Sequence, residues 1–150
     1  MPFVPDDFPI PTELDLGWGR LRPLRAVDNA ADFAAWHNSI EHISATPGFA
    51  GRSWPVEDYT LNQNEHDLQE HEADFAGRRG FTYSVLDGGG RVIGCVYVYP
   101  AGEDGPAGTD VNVRSWVSAD HAVRDAELYR GVVAWLASAW PFTDVSYVSR

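Results

Sequence analysis

Three β-rich runs, at residues 81–86, 91–99 and 110–117, constrain this chain more than any other feature. The first two, Phe-Thr-Tyr-Ser-Val-Leu and Arg-Val-Ile-Gly-Cys-Val-Tyr-Val-Tyr, are separated by Asp87, Gly88, Gly89 and Gly90. β-Branched and aromatic side chains suit a pleated, half-buried surface. Asp-Gly-Gly between two such runs is a hairpin signal, because glycine supplies the positive φ angles of the turn. The third run, Asp-Val-Asn-Val-Arg-Ser-Trp-Val, follows a Gly/Pro-rich connection at residues 100–109. Together they predict a three-stranded antiparallel meander, and the other elements must be arranged around it.

Those elements are read from local pattern. Residues 1–16 carry Pro2, Pro5, Pro9 and Pro11 without periodicity and are expected to form an extended arm. Residues 17–25 read as a short strand, placed at an edge because Pro23 has no N–H to donate. Asp28 is an N-cap candidate for a helix over 28–44, with Phe33, Trp36, Ile40 and Ile43 on one face. A second helix is predicted over 56–77 with Leu61, Leu68 and Phe75 in its stripe. A third, over 123–139, carries Leu128, Val132, Trp135 and Leu136 and stops before Pro141. A final strand follows at 143–148. Strand, helix, strand at this spacing implies a right-handed crossover to a parallel strand. The expected architecture is therefore α/β (α+β): a single domain over 17–150 with a mixed sheet and helices on both faces.

Composition limits the chemistry. At 150 residues and 44% hydrophobic content the chain is long enough for one real core. A net charge of −11 argues against affinity for nucleic acid or an anionic membrane. No apolar stretch approaches a membrane span, the N-terminus lacks a basic leader, and the lone Cys95 precludes an internal disulfide. A cytoplasmic setting is expected on these grounds. All eleven basic residues are arginine, which rules out a catalytic lysine. His66 with Glu70, and Asp67 with His71, sit one turn apart but on separate rows, so no metal is predicted. The acidic faces of the second helix are either solvated or an attractor for a cationic amine. Phe49, Arg52 and Trp54, on the break at 46–55, either line a substrate site or cover the core.

The order strand, helix, helix, meander, helix, strand resembles the GNAT family of acyl-CoA-dependent N-acetyltransferases. The likeness is carried by Leu21-Arg-Pro-Leu-Arg-Ala-Val-Asp28, by Phe81 to Tyr99 with Gly90-Arg-Val-Ile-Gly94 at the hairpin, and by the layout from Val111 to Ala139. The resemblance implies transfer of an acetyl group from acetyl-CoA to an amine of a small molecule or protein. The alternative is a catalytically inactive GNAT-like domain that binds a small ligand or a partner. It also implies that the backbone of Trp116, Val117 and Ser118 meets the pantetheine arm, and that Arg124, Asp125, Ala126, Glu127 and Leu128 form the phosphate-facing turn. Arg124, Glu127 and Tyr129 fall on the three marked positions of the family's Gln/Arg-x-x-Gly-x-Gly/Ala signature. Asp110 and Tyr99 are the candidate proton-transfer groups. An open edge at the last strand leads to the expectation of a homodimer.

Overall fold

The structure, a computed structural model, describes residues 2–102 and 108–150. Among these residues six strands form one sheet in chain order: β1 (Leu14–Asp15), β2 (Gly19–Pro23), β3 (Phe81–Asp87), β4 (Val92–Pro100), β5 (Val111–Val117) and β6 (Val145–Tyr147). Neighbours pair antiparallel except β5 and β6, which pair parallel. The expected α/β architecture is present: an antiparallel meander, then a helix and a parallel strand. The connection expected at 100–109 lies partly outside the described residues.

Local chemistry explains the meander. Asp87 closes the β3–β4 turn with its own carboxylate, which accepts the N–H groups of Gly89 and Arg91, both at 2.9 Å. Of the three turn glycines only Gly90 takes a positive φ, +83°. Gly94 is needed for a different reason: a Cβ there would sit 2.2 Å from the carbonyl oxygen of Trp116. β4 and β5 approach each other through that gap. Pro23 comes at the last position of β2, opposite Tyr83, so β2 lies between β1 and β3 and not at the edge.

The helices depart from their sequence-predicted bounds where tertiary contacts intervene. The span 28–44 divides into α1 (Asn29–His37) and α2 (Ile40–Ser44). At the break, Ser39 is buried and its Oγ accepts the N–H of Ala119 at 2.9 Å, a contact made 80 residues away in sequence. Asp28 makes no side-chain cap and pairs instead with Arg22 at 2.7 Å. α3 (Leu61–Ala76) begins after Thr60, which forms a capping box with Gln63. α4 (Asp125–Ala139) is preceded by a 3-10 segment, Ala119–Arg124.

Two cores lie on opposite faces of the sheet. On one, Leu128, Val132, Trp135 and Leu136 of α4 pack on Tyr83, Val96, Val98 and Val113. The N-terminal segment joins this core: Val4 is 1% exposed, Tyr83 donates its hydroxyl to Pro11 O, and Arg78 binds the carbonyls of Pro5 and Phe8. On the other face, Trp36, Ile43, Phe49 and Leu68 pack on Cys95 and Trp116. No helix among the described residues is long and apolar enough to cross a membrane.

Candidate functional site

A cavity of about 810 Å3 opens on the face covered by α1 and α3. β4 and β5 form its floor, where side-chain alternation turns Tyr97, Tyr99 and Arg114 toward it. The connection between α2 and α3 adds Phe49, Arg52 and Trp54, so the three sequence-predicted residues of that break meet here. The acidic face of α3 contributes Asp67, Glu70 and Asp74, at helical spacing. This size is within the range of small-molecule sites, which combine apolar walls with a few placed polar groups.

One wall carries a hydrogen-bonded chain. Tyr99 donates its hydroxyl to Asp74 Oδ2 at 2.9 Å, and His71 Nδ1 lies 2.9 Å from the same hydroxyl oxygen and 3.2 Å from Thr82 Oγ1. Tyr99 has a single proton and gives it to Asp74, so its oxygen must accept from His71. That assigns the proton of neutral His71 to Nδ1 and leaves Nε2 as the lone-pair nitrogen. Burial holds the His71 pKa below its usual value, against the pull of Asp67, Asp74 and Glu70. Tyr59 binds Asp67 beside it, and burial with that carboxylate pushes its hydroxyl up to about 12.

Deeper in the cavity wall, Asp32 is 4% exposed. It accepts hydrogen bonds from Asn64 Nδ2 at 3.0 Å and Cys95 Sγ at 3.4 Å, yet burial still pushes its carboxyl up to about 6. Cys95 is fully buried and donates its thiol. Arg114 presents the opposite case: half-buried, it touches the Phe49 ring and makes no hydrogen bond or ion pair among the described residues. Burial, with Arg52 nearby, lowers its pKa.

On the other side of β5 the sheet divides. Pairing with β6 stops at Val113 opposite Tyr147. Ser118 N–H bonds Ile93 O of the β4 side at 2.8 Å, so ladder alternation turns the backbone of Ser115 and Val117 toward the gap. Arg150 fills that gap. Its guanidinium donates to Asp125 Oδ2 at 2.6 Å, to Ser115 O at 2.8 Å and to Val148 O at 2.8 Å, and it lies near the rings of Tyr129 and Tyr147. At the start of α4, Arg124 binds Glu127 at 3.0 Å and stacks over Trp18.

No protein-family model matches the sequence, and no curated protein matches it. Solved structures do match its fold. A ribosomal-protein-S5-alanine acetyltransferase from Vibrio fischeri superposes with a TM-score of 0.61 at 13% identity, over 86% of this chain and 69% of that one. RimJ from Mycobacterium smegmatis, in complex with CoA-disulfide, gives 0.65 at 17% identity, over 90% of this chain and 64% of its own. The fold is that of the GNAT acetyltransferases. The microcin C7 self-immunity acetyltransferase MccE, in complex with acetyl-CoA and AMP, also matches: 0.65 at 9% identity, over 87% of this chain and 71% of that one.

The resemblance implies a pantetheine arm on the backbone of Trp116 to Ser118; at the divergence of β5 from β6 it is the backbone of Ser115 and Val117 that turns toward the gap, and Arg150 already binds Ser115 O there. The phosphate end does not fit. Asp125 and Glu127 put two carboxylates in the first turn of α4, where a helix N-terminus otherwise favours an anion. Asp125 Oδ1 is buried with no hydrogen-bond partner among the described residues. No glycine stands between Gly108 and Gly131 to let phosphates approach the backbone.

The sequence-predicted residues therefore separate into groups. Tyr99, Phe49, Arg52 and Trp54 come together on the cavity. Trp116 is fully buried on that same face, its Nε1 donating to Tyr97. Val117 lies at the gap, whereas Ser118 uses its N–H on Ile93 and its Oγ on His121. Arg124, Asp125 and Glu127 are engaged in ion pairs, Ala126 sits between them on the first turn of α4, and Leu128 is fully buried in the core. Asp110 lies away from the cavity, accepting the N–H groups of Thr143 and Asp144 at 3.2 and 3.0 Å. His71 went unselected as a site residue, although Asp67 and Asp74 at four and three residues' distance already put carboxylates on its side of the helix. Among the described residues no group of three or more His, Cys, Asp or Glu is placed to hold a metal.

Proposed function

We propose that this chain is an acetyl-CoA-dependent acyltransferase whose acceptor is an amine taken into the cavity between α3 and the β4–β5 floor. The observation that carries this reading is the Asp74–Tyr99–His71 chain on the cavity wall, set in a fold whose matched structures are acetyltransferases. Acetyl-CoA, when bound, supplies the activated acetyl group. The chain's own residues handle the acceptor. Asp67, Glu70 and Asp74 attract an ammonium from water. An ammonium has no lone pair, so a base must remove one proton before it can act as a nucleophile. Neutral His71 offers Nε2 for that proton, and Tyr99 with Asp74 fixes the ring in the required tautomer.

The test is thiol release from acetyl-CoA with a panel of primary amines, comparing wild type with His71→Gln. The expected loss in kcat is roughly 10²–10⁴-fold, the usual share of a general base, with acceptor KM little changed. No turnover together with no thermal stabilisation by millimolar acetyl-CoA rejects the reading.

The second reading, a non-catalytic domain of the same fold that binds an amine, is favoured by the Arg150–Asp125 pair in the gap and the carboxylates at the α4 end. Calorimetry with acetyl-CoA separates the two, since a non-catalytic domain takes up the amine alone.

A further inference from the structure

The acidic wall of the cavity accounts for an amine; the two arginines at its other side do not follow from it. Ten of the eleven arginines of a chain with net charge −11 are exposed at the surface or hydrogen-bonded to a carboxylate or carbonyl. Arg114 is the exception. It is half-buried on β5, lines the cavity, and has only the Phe49 ring, 5.7 Å from its central carbon, as a partner among the described residues. Arg52 lines the same cavity from the α2–α3 connection, its Nε fixed on Gly48 O at 2.9 Å. Two guanidinium groups line one space, and the half-buried one has no carboxylate partner among the described residues; Arg presents a planar fork of donors matched to carboxylate or phosphate oxygens.

We propose that the ligand of this cavity is bipolar, an amine that also carries an anionic group, with the anion bound between Arg114 and Arg52 and the amine bound at the Asp67–His71–Asp74 wall. This deepens the acyltransferase reading above and rests on it only for the amine end. The two ends are separated by a spacer. Arg114 stands directly across from Tyr97 in the β4–β5 ladder, and the Tyr97 ring lies 5.7 Å from the ring of His71. Tyr97 therefore neighbours both ends, one through the strand ladder and one through a ring contact, so the ligand must reach past its side chain. The aromatic side chains between them suit an apolar linker. A molecule with adjacent amine and carboxylate, such as a free α-amino acid, spans only one end.

The experiment uses the whole chain and four probes measured by calorimetry without acetyl-CoA: octylamine, octanoate, 8-aminooctanoate and the 8-carbon aminoalkyl phosphonate. Wild type is expected to bind 8-aminooctanoate or its phosphonate at least tenfold more tightly than octylamine, and the preferred probe of that pair identifies the anion as carboxylate or phosphate. Arg114→Gln is expected to abolish that preference while leaving octylamine affinity within about twofold, consistent with the worth of a charge-assisted hydrogen bond. Arg52→Gln, at an exposed residue whose side chain bonds only the Gly48 carbonyl among the described residues, is expected to reduce it by a smaller factor and guards against misfolding at position 114. Equal affinity for octylamine and both bipolar probes overturns the inference while leaving the amine cavity standing. Unchanged preference in both variants overturns it as well. A bipolar preference with no acetyl transfer in the presence of acetyl-CoA upholds the inference and rejects the transfer reaction.

Discussion

At the scale of single residues, Asp32 and His71 sit in the same cavity wall and are shifted by the same cause in opposite senses of charge. Burial disfavours the ionised form of each, raising an acid and lowering a base. For Asp32 the folded chain holds its proton up to about pH 6, whereas the unfolded chain releases it near 3.8. The stability it contributes is complete below the unfolded value and is lost as pH rises through the folded one. At 1.36 kcal/mol per pKa unit the change is about 3 kcal/mol. Denaturant unfolding of wild type and Asp32→Asn between pH 3.5 and 7.5 is therefore expected to show the wild type losing that much relative to the variant, with a plateau on either side. A pH-independent difference would place the burial of Asp32 elsewhere than in the native state. Under the acyltransferase reading, the lowered pKa of His71 puts the acid limb of kcat/KM below pH 6.5, and His71→Gln is expected to remove the limb along with the rate.

At the scale of elements, Asn64 ties α3 to α1. Its Nδ2 donates to Asn29 at 2.8 Å and Asp32 at 3.0 Å, and its Oδ1 accepts from Trp36 Nε1 at 3.1 Å, with the side chain buried. Removing it leaves Trp36 Nε1 without its acceptor and takes one donor each from Asn29 Oδ1 and Asp32 Oδ2, although Asn29 keeps Leu61 O and Asp32 keeps Cys95 Sγ. Asn64→Ala is expected to cost about 3 kcal/mol in urea unfolding, since each unsatisfied buried group carries its desolvation penalty. The exposed neighbour His66 on the same helix, replaced by Ala, is expected to stay within about 0.5 kcal/mol. A second element-scale contact closes the gap between β5 and β6. Arg150 binds Asp125 and the carbonyl of Ser115 there, with its side chain 4% exposed. Arg150→Ala frees the backbone edge of β5. Under the acyltransferase reading it is expected to tighten acetyl-CoA binding by calorimetry at some cost in Tm, and a weakening would identify Arg150 as part of the cofactor site.

At the scale of the whole molecule, two cores on opposite faces of one sheet give the two faces different work: α4 and the N-terminal segment stabilise one, and the cavity opens on the other. β6 is a three-residue edge strand with Val145 39% exposed, and the expected pairing of two copies along it is read by light scattering at tens of micromolar, where a monomer rejects it. By itself the sequence determined what depends on neighbours in the chain. The β3–β4 hairpin follows from Asp87 and its glycines, and α4 from its stripe of Leu128, Val132, Trp135 and Leu136; the capping box of Thr60 and Gln63 is equally local, but the sequence-predicted helix begins at 56 and misses it. Phe49, Arg52 and Trp54 were legible as a cluster because they share one short connection. Contacts between distant segments were decided only in the tertiary structure. Ser39, at the break in the first helix, accepts the N–H of Ala119, and the proline-rich start packs with its carbonyls bound by Arg78 and Tyr83. His71 becomes a candidate base only when β4 brings Tyr99 against it, and Arg114 becomes a candidate anion ligand only because folding leaves it with no carboxylate partner among the described residues. Strand and helix periods report which way a side chain faces; they carry no information about what stands opposite. Charge, hydrogen bonding and pKa at the cavity are set by what stands opposite.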